Sequence, residues 1–174
     1  MKGYVLRYAF WAPLLFALIY FEGFSPLFFI ANLQTALTAN LTEMVIHLLT
    51  LPISVDGIVI TFKSGFYLRI LHECNGLAPI LLFWAAVWSY PTAIRVKVFW
   101  TLAGYFVLVV LNILRIMLVL YVVDIDRENL VWSHHYVGRY GMGVMTLTLF
   151  WIFTSVAEVK EYRYNIFIRK KETL

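Results

Sequence analysis

Three side chains in an otherwise apolar sequence are of the types that perform covalent chemistry together: Cys74, Arg115 and His134. Cys74 lies in His72-Glu73-Cys74-Asn75-Gly76, at the start of an apolar run. A thiol near a helix N-terminus meets free backbone N–H groups and the positive end of the helix dipole, which favour the thiolate, the attacking form. His134 lies in Trp132-Ser133-His134-His135-Tyr136, at the start of another apolar run. An imidazole can take the thiol proton and later return one to a leaving amine. Arg115 lies inside a third apolar run, in Asn112-Ile113-Leu114-Arg115-Ile116. A guanidinium keeps its charge and so can stabilise a thiolate, an oxyanion or a carbonyl. Arginine at the centre of a membrane helix costs ~2.5–3.5 kcal/mol on insertion scales, so its retention there points to a use. Asn112 stands one turn before Arg115 on the same helical face, placed to orient the guanidinium, and Gly76 supports the turn after the cysteine.

Each residue also has a plainer reading. A lone thiol in an apolar chain packs inertly, an arginine anchors a helix at the interface, and a histidine beside a tryptophan bonds to lipid headgroups. Asn75-Gly76 can be a turn and nothing more. His135 and His72 are alternative bases, because each is close in sequence to its competitor or to the thiol. One cysteine rules out an intrachain disulfide and a multi-cysteine metal site, and the four histidines lack zinc-ligand spacing. Neither metal nor cofactor is expected.

The elements that must position these groups are membrane helices. Of 174 residues, 62% are hydrophobic and 14% charged, with a mean hydropathy of +0.80. A soluble domain carries about 25% charged residues. A span needs roughly 20 apolar residues, so this length holds about four to six. The first is expected over residues 8–24 and exits at Gly23, Ser25 and Pro26. The second covers residues 75–90 and is stopped by Pro91. The third covers 98–123 and the fourth 134–157. Residues 27–51 carry too many polar groups for a comfortable span, among them Asn32, Gln34, Thr38, Thr42, Glu43 and His47, and read as an amphipathic helix at the outer interface. Val55 to Leu71 reads as a β-hairpin turning at Lys63-Ser64-Gly65, held outside the hydrocarbon. The predicted fold is therefore an α-helical polytopic membrane protein of about four transmembrane helices, with an outer interfacial amphipathic helix and a small outer β-hairpin. All of it forms one domain over residues 1–174.

The net charge of +4 follows the span ends, without the aromatic and basic interleaving of a nucleic-acid surface. Lys2 and Arg7, the Arg95/Lys97 loop, and the tail with Lys160, Arg163, Arg169, Lys170 and Lys171 all fall on one side if four segments cross, which the positive-inside rule makes cytoplasmic. Cys74, Arg115 and His134 then converge near the opposite, outer face of a cytoplasmic (inner) membrane.

At these three segments the sequence resembles the exosortase/archaeosortase family of membrane-embedded cysteine transpeptidases, and the short bacterial exosortases such as the exosortase H type in particular. The resemblance rests on Cys74-Asn75-Gly76 before an apolar span, Asn112-Ile113-Leu114-Arg115-Ile116, and Trp132-Ser133-His134-His135-Tyr136-Val137, in that order. It implies a Cys-His-Arg site made of Cys74, His134 and Arg115. It also implies a cysteine-dependent membrane peptidase or transpeptidase facing the periplasmic or extracellular side. Its substrates would be membrane-anchored proteins that end in a sorting signal of motif, membrane helix and basic end, cleaved through a thioester. The adjacent His135 leaves the register of the histidine open by one residue, with Tyr136-Val137 favouring His134. A second reading of the same residues is a non-enzymatic membrane scaffold or small transporter subunit in which Arg115 binds an anion or a lipid headgroup.

Overall fold

A computed structural model describes residues 2–126, 136, 138 and 140–172. Its elements in chain order are α1 (Lys2–Ile19), α2 (Phe28–Leu48), β1 (Ile53–Asp56), β2 (Val59–Phe62), β3 (Tyr67–Arg69), a 3-10 turn (His72–Cys74), α3 (Leu77–Ser89), α4 (Ile94–Ile125) and α5 (Met142–Glu172). Among the described residues, α4 is the helix long and apolar enough to cross a membrane, with a mean hydropathy of 2.7 over its best window. Gly3–Ile19, Leu77–Ser89 and Met142–Ala157 are shorter apolar helices.

α1 begins and ends earlier than expected. The chain leaves it through a tight turn in which Ser25 Oγ accepts the Phe21 N–H at 2.9 Å and the Leu27 N–H returns to the Leu18 carbonyl at 2.9 Å. α3 starts at Leu77 rather than at residue 75, because Asn75 and Gly76 form its cap. It stops at Ser89 ahead of Pro91, whose ring disfavours a helical residue before it. α4 extends beyond residues 98–123 at both ends, and α5 continues past residue 157 to Glu172. The expected start of the fourth span at His134 lies outside the described residues.

The expected hairpin is a three-stranded antiparallel meander, β1-β2-β3. The stretch read as one strand from Val55 breaks at Gly57-Ile58. Gly57 takes φ +59° there, a conformation that glycine adopts without steric cost at the first position of a two-residue hairpin loop. The second turn falls at Lys63-Ser64-Gly65 and closes through the Phe62 N–H to the Phe66 carbonyl at 2.8 Å. The sheet is not left bare. Ile60, Phe62 and Ile70 pack with Ala39 and Ile46 of α2 and with Ile116, Leu120 and Val123 of α4.

A second apolar cluster joins α3, α4 and α5 through Ile80, Phe83, Val87, Leu108, Met142 and Phe153. A lipid-facing protein cannot drive helices together by hiding apolar surface from lipid, so close backbone approach and packing must do it. Gly104 of α4 supplies that approach: a Cβ added there would fall within the ring of the fully buried Phe83.

α2 departs most from expectation. Only part of its polar surface faces outward. Gln34, Thr38 and Thr42 are buried against the protein, whereas Phe29, Leu33, Met44 and Leu48 are exposed. The helix buries one polar stripe, from which Gln34 and Thr38 hold the loop that carries the cysteine, and leaves Asn32, Asn40 and His47 exposed beside the apolar residues.

Candidate active site

The loop between the 3-10 turn and α3 is irregular backbone in apolar surroundings. Unpaired carbonyls there are costly, so each needs a donor. The structure supplies them. The Asn75 carbonyl accepts from Gln34 Nε2 and from Thr38 Oγ1, both at 3.2 Å. The Cys74 carbonyl accepts from Asn112 Nδ2 at 3.1 Å.

Asn75 is fully buried and uses its whole side chain. Its Oδ1 accepts the Leu77 N–H at 2.8 Å, capping α3. Its Nδ2 donates to Thr35 Oγ1 at 2.9 Å and to the Ala31 carbonyl at 3.2 Å. Tyr105 of α4 donates to Gln34 Oε1 at 2.9 Å, extending the network to a third element. Each such bond contributes only about 1 kcal/mol net, but leaving one buried partner unpaired costs about 1–3 kcal/mol, so the network fixes one loop geometry.

Gly76 follows in the left-handed region at φ +76°, and a Cβ there would stand 2.9 Å from Asn112 Cγ. Only glycine meets both demands. Its absence of a side chain lets α4 bring Asn112 up to the loop. Asn112, 1% exposed, then works at both ends: Nδ2 holds the Cys74 carbonyl, and Oδ1 accepts Arg115 Nη1 at 3.1 Å. One amide thus links the cysteine's backbone to the guanidinium.

Arg115 is 9% exposed, and among the described residues its Nε has no hydrogen-bond partner. A Cβ built on Gly138 would lie 3.1 Å from Arg115 Nη2, so Gly138 stands directly against the guanidinium. Arg115 and Gly138 line a cavity of about 850 Å³ bounded by α1, α3 and α5. Glu73 and Gly76 contribute at the cysteine loop, and Tyr4, Tyr8 and Phe150 toward the other end.

Cys74 itself is partly buried and packs against the cluster formed by the sheet, α2 and α4. It sits in the 3-10 turn, three residues ahead of the first residue of α3, so the helix N-terminus acts on it from beyond Asn75 and Gly76 rather than directly. The His72 ring lies 5.1 Å from that of Phe28 and 6.0 Å from that of Tyr20, on the α1–α2 side. His134 and His135 lie outside the described residues. The structure therefore joins Cys74 and Arg115 through Asn112, with Gly76 making room.

Several residues of this assembly escape a reading of motifs. Gln34, Thr38 and Tyr105 hold the loop, and Glu73 borders the cavity. The signal for the first two was present as polar residues recurring every fourth position, Gln34, Thr38 and Thr42, which mark one helical face without saying what that face meets.

The family profile described as transmembrane exosortase (Exosortase_EpsH) matches residues 1–151. No curated protein and no solved structure matches the chain. The match spans the sheet, the cysteine loop, Asn112, Arg115 and the segment bearing His134. The chain belongs to the transmembrane exosortase family, and with it to the membrane transpeptidases that process sorting signals.

Proposed function

We propose that this chain cleaves a C-terminal sorting signal by thiol chemistry, with Cys74 as nucleophile, Arg115 as the charge-stabilising group and His134 as base and then acid. The observation that carries the reading is Asn112, whose two amide atoms tie the Cys74 carbonyl to the Arg115 guanidinium. A chain that used Cys74 only for packing has no need of a buried arginine coupled to its backbone.

In this reading α1, α3, α4 and α5 are the four spans of a single domain, 1–174, in the cytoplasmic membrane. Both termini are cytoplasmic, and the sheet and Cys74 face outward. The substrate is a membrane-anchored protein ending in motif, apolar helix and basic residues. Its helix lies along the cavity between α1, α3 and α5, which delivers the preceding segment to the cysteine loop. His134 takes the proton from Cys74 Sγ, and the thiolate attacks the scissile carbonyl carbon. Negative charge builds on the carbonyl oxygen, where Arg115 stabilises it. The C–N bond breaks, the leaving amine takes the proton from His134, and the upstream part of the substrate remains on Cys74 as a thioester. A second nucleophile, an amine or water, attacks that carbonyl and frees the thiol.

The test is processing of a co-expressed sorting-signal protein by single variants at matched expression. Cys74→Ala and Cys74→Ser should abolish cleavage, which a scaffold or transporter subunit would not register. Arg115→Lys should not rescue, because an ammonium lacks the planar fork that Asn112 holds. His134→Ala should lower cleavage far more than His135→Ala or His72→Ala. Full cleavage by Cys74→Ala refutes covalent catalysis.

A further inference from the structure

The cavity beside the cysteine loop has two charged groups in its wall, Glu73 and Arg115. They do not neutralise each other. The ion pair found among the described residues joins His47 and Glu43 at 3.6 Å, on α2. Arg115 is nine-tenths buried, is engaged through Nη1 with Asn112, and among the described residues has no partner for Nε. Glu73 is solvent-exposed and, among the described residues, its carboxylate has no partner. One charge lies deep and the other at the rim, on the turn that carries Cys74.

The position of Glu73 is fixed by its neighbours. It is the middle residue of the 3-10 turn His72–Cys74, closed by the Cys74 N–H to the Leu71 carbonyl at 2.8 Å and clamped on its far side by the buried Asn75. Its Cα is one peptide step, ~3.8 Å, from that of Cys74. An extended substrate advances ~3.3 Å per residue, so the carboxylate addresses side chains within about two positions of the carbonyl that Cys74 attacks.

Resting on the transpeptidase reading above, we propose that Glu73 is a specificity-determining residue that selects a cationic side chain, lysine or arginine, next to the scissile bond of the substrate. A carboxylate at the rim of an apolar cavity, with no partner among the described residues, rewards a positive side chain and repels a negative one. An exposed pair of this kind changes an equilibrium by about two- to fivefold, and reversing one charge replaces attraction with repulsion, for about tenfold in total.

The experiment uses the full-length chain in cells with a reporter carrying the C-terminal sorting segment of a host protein. Lysine or glutamate is placed in turn at each of the two positions on either side of the cleavage site. Wild type should cleave the lysine reporter about tenfold faster than the glutamate reporter at one of these positions. Glu73→Gln should flatten the difference, and Glu73→Lys should invert it. Inversion is a readout that mere loss of folding does not give, and Glu73→Gln tests the claim separately if the reversed charge lowers expression. The same substrate order in all three proteins, or an equal loss on every reporter, overturns the selectivity and leaves the transpeptidase reading intact. Cleavage by Cys74→Ala at the wild-type rate would remove that reading and the selectivity with it.

Discussion

Asn112→Ala removes two hydrogen bonds from a side chain that is 1% exposed. The bond accepted from the Arg115 guanidinium involves a charge and contributes about 1.5–3 kcal/mol, and the bond to the Cys74 carbonyl contributes about 1 kcal/mol. The variant should lose about 2.5–4 kcal/mol, because Arg115 keeps its charge while Nη1 loses the amide oxygen that it bonds. Asn112→Asp separates the two contacts. It retains an oxygen for Arg115 and adds an ion pair, but it sets a carboxylate oxygen against the Cys74 carbonyl where a donor stood. Its stability should return to within about 1–2 kcal/mol of wild type, while the carbonyl is pushed off its position. Displacement of a reacting group by about 1 Å costs on the order of a hundredfold in rate, so processing should stay low in both variants. Reversible unfolding in detergent micelles gives the first quantity, and cleavage of a co-expressed substrate gives the second. If Asn112→Ala unfolds within about 0.5 kcal/mol of wild type, the amide does not hold Arg115 as described. If Asn112→Asp processes substrate normally, the tether to Cys74 has no part in the reaction.

Gly76→Ala should destabilise by about 1–2 kcal/mol through its left-handed backbone alone, with more from the Cβ placed 2.9 Å from Asn112 Cγ. In the Asn112→Ala background the steric part should vanish, giving an unfolding cycle that is non-additive by about 1 kcal/mol, and strict additivity would argue against the contact. Gly104→Ala should cost about 1–3 kcal/mol by overpacking against the Phe83 ring, and Phe83→Leu should recover part of it in the same unfolding assay. A neutral Gly104→Ala would show that α3 and α4 are not packed this closely.

The helices of this chain announce themselves because apolar runs end at residues with strong local rules: Gly23 and Pro26 after α1, Pro91 after α3, and a run of polar residues in the sequence after α4. Lys63-Ser64-Gly65 marks its turn for the same reason. The turn at Gly57-Ile58 was hidden because Ile58 is a strand former and masked the Asp-Gly step beside it. The cysteine, arginine and Asn112 were legible as residue types at helical spacing, but their connection was not. No spacing rule links Gly76 to Asn112, because that contact depends on the distance between two helices. The polarity of α2 misled for a different reason. Gln34, Thr38 and Thr42 form one stripe whether it faces water or a buried loop, and the pattern is identical in the two cases. Only the partners Asn75 and Tyr105, far along the chain, distinguish them.

Those distant partners set an order on how the protein is made. Gln34 and Thr38 are early residues, yet the groups they bond, the Asn75 carbonyl and the Tyr105 hydroxyl, emerge from the ribosome only later. Until then α2 has polar side chains with no protein partner, and lipid offers them none. α2 therefore takes its seat as a docking step after α4 has been synthesised and inserted. The loop that carries Cys74 acquires its final shape in that same step, so the cysteine is positioned only when most of the chain is in place.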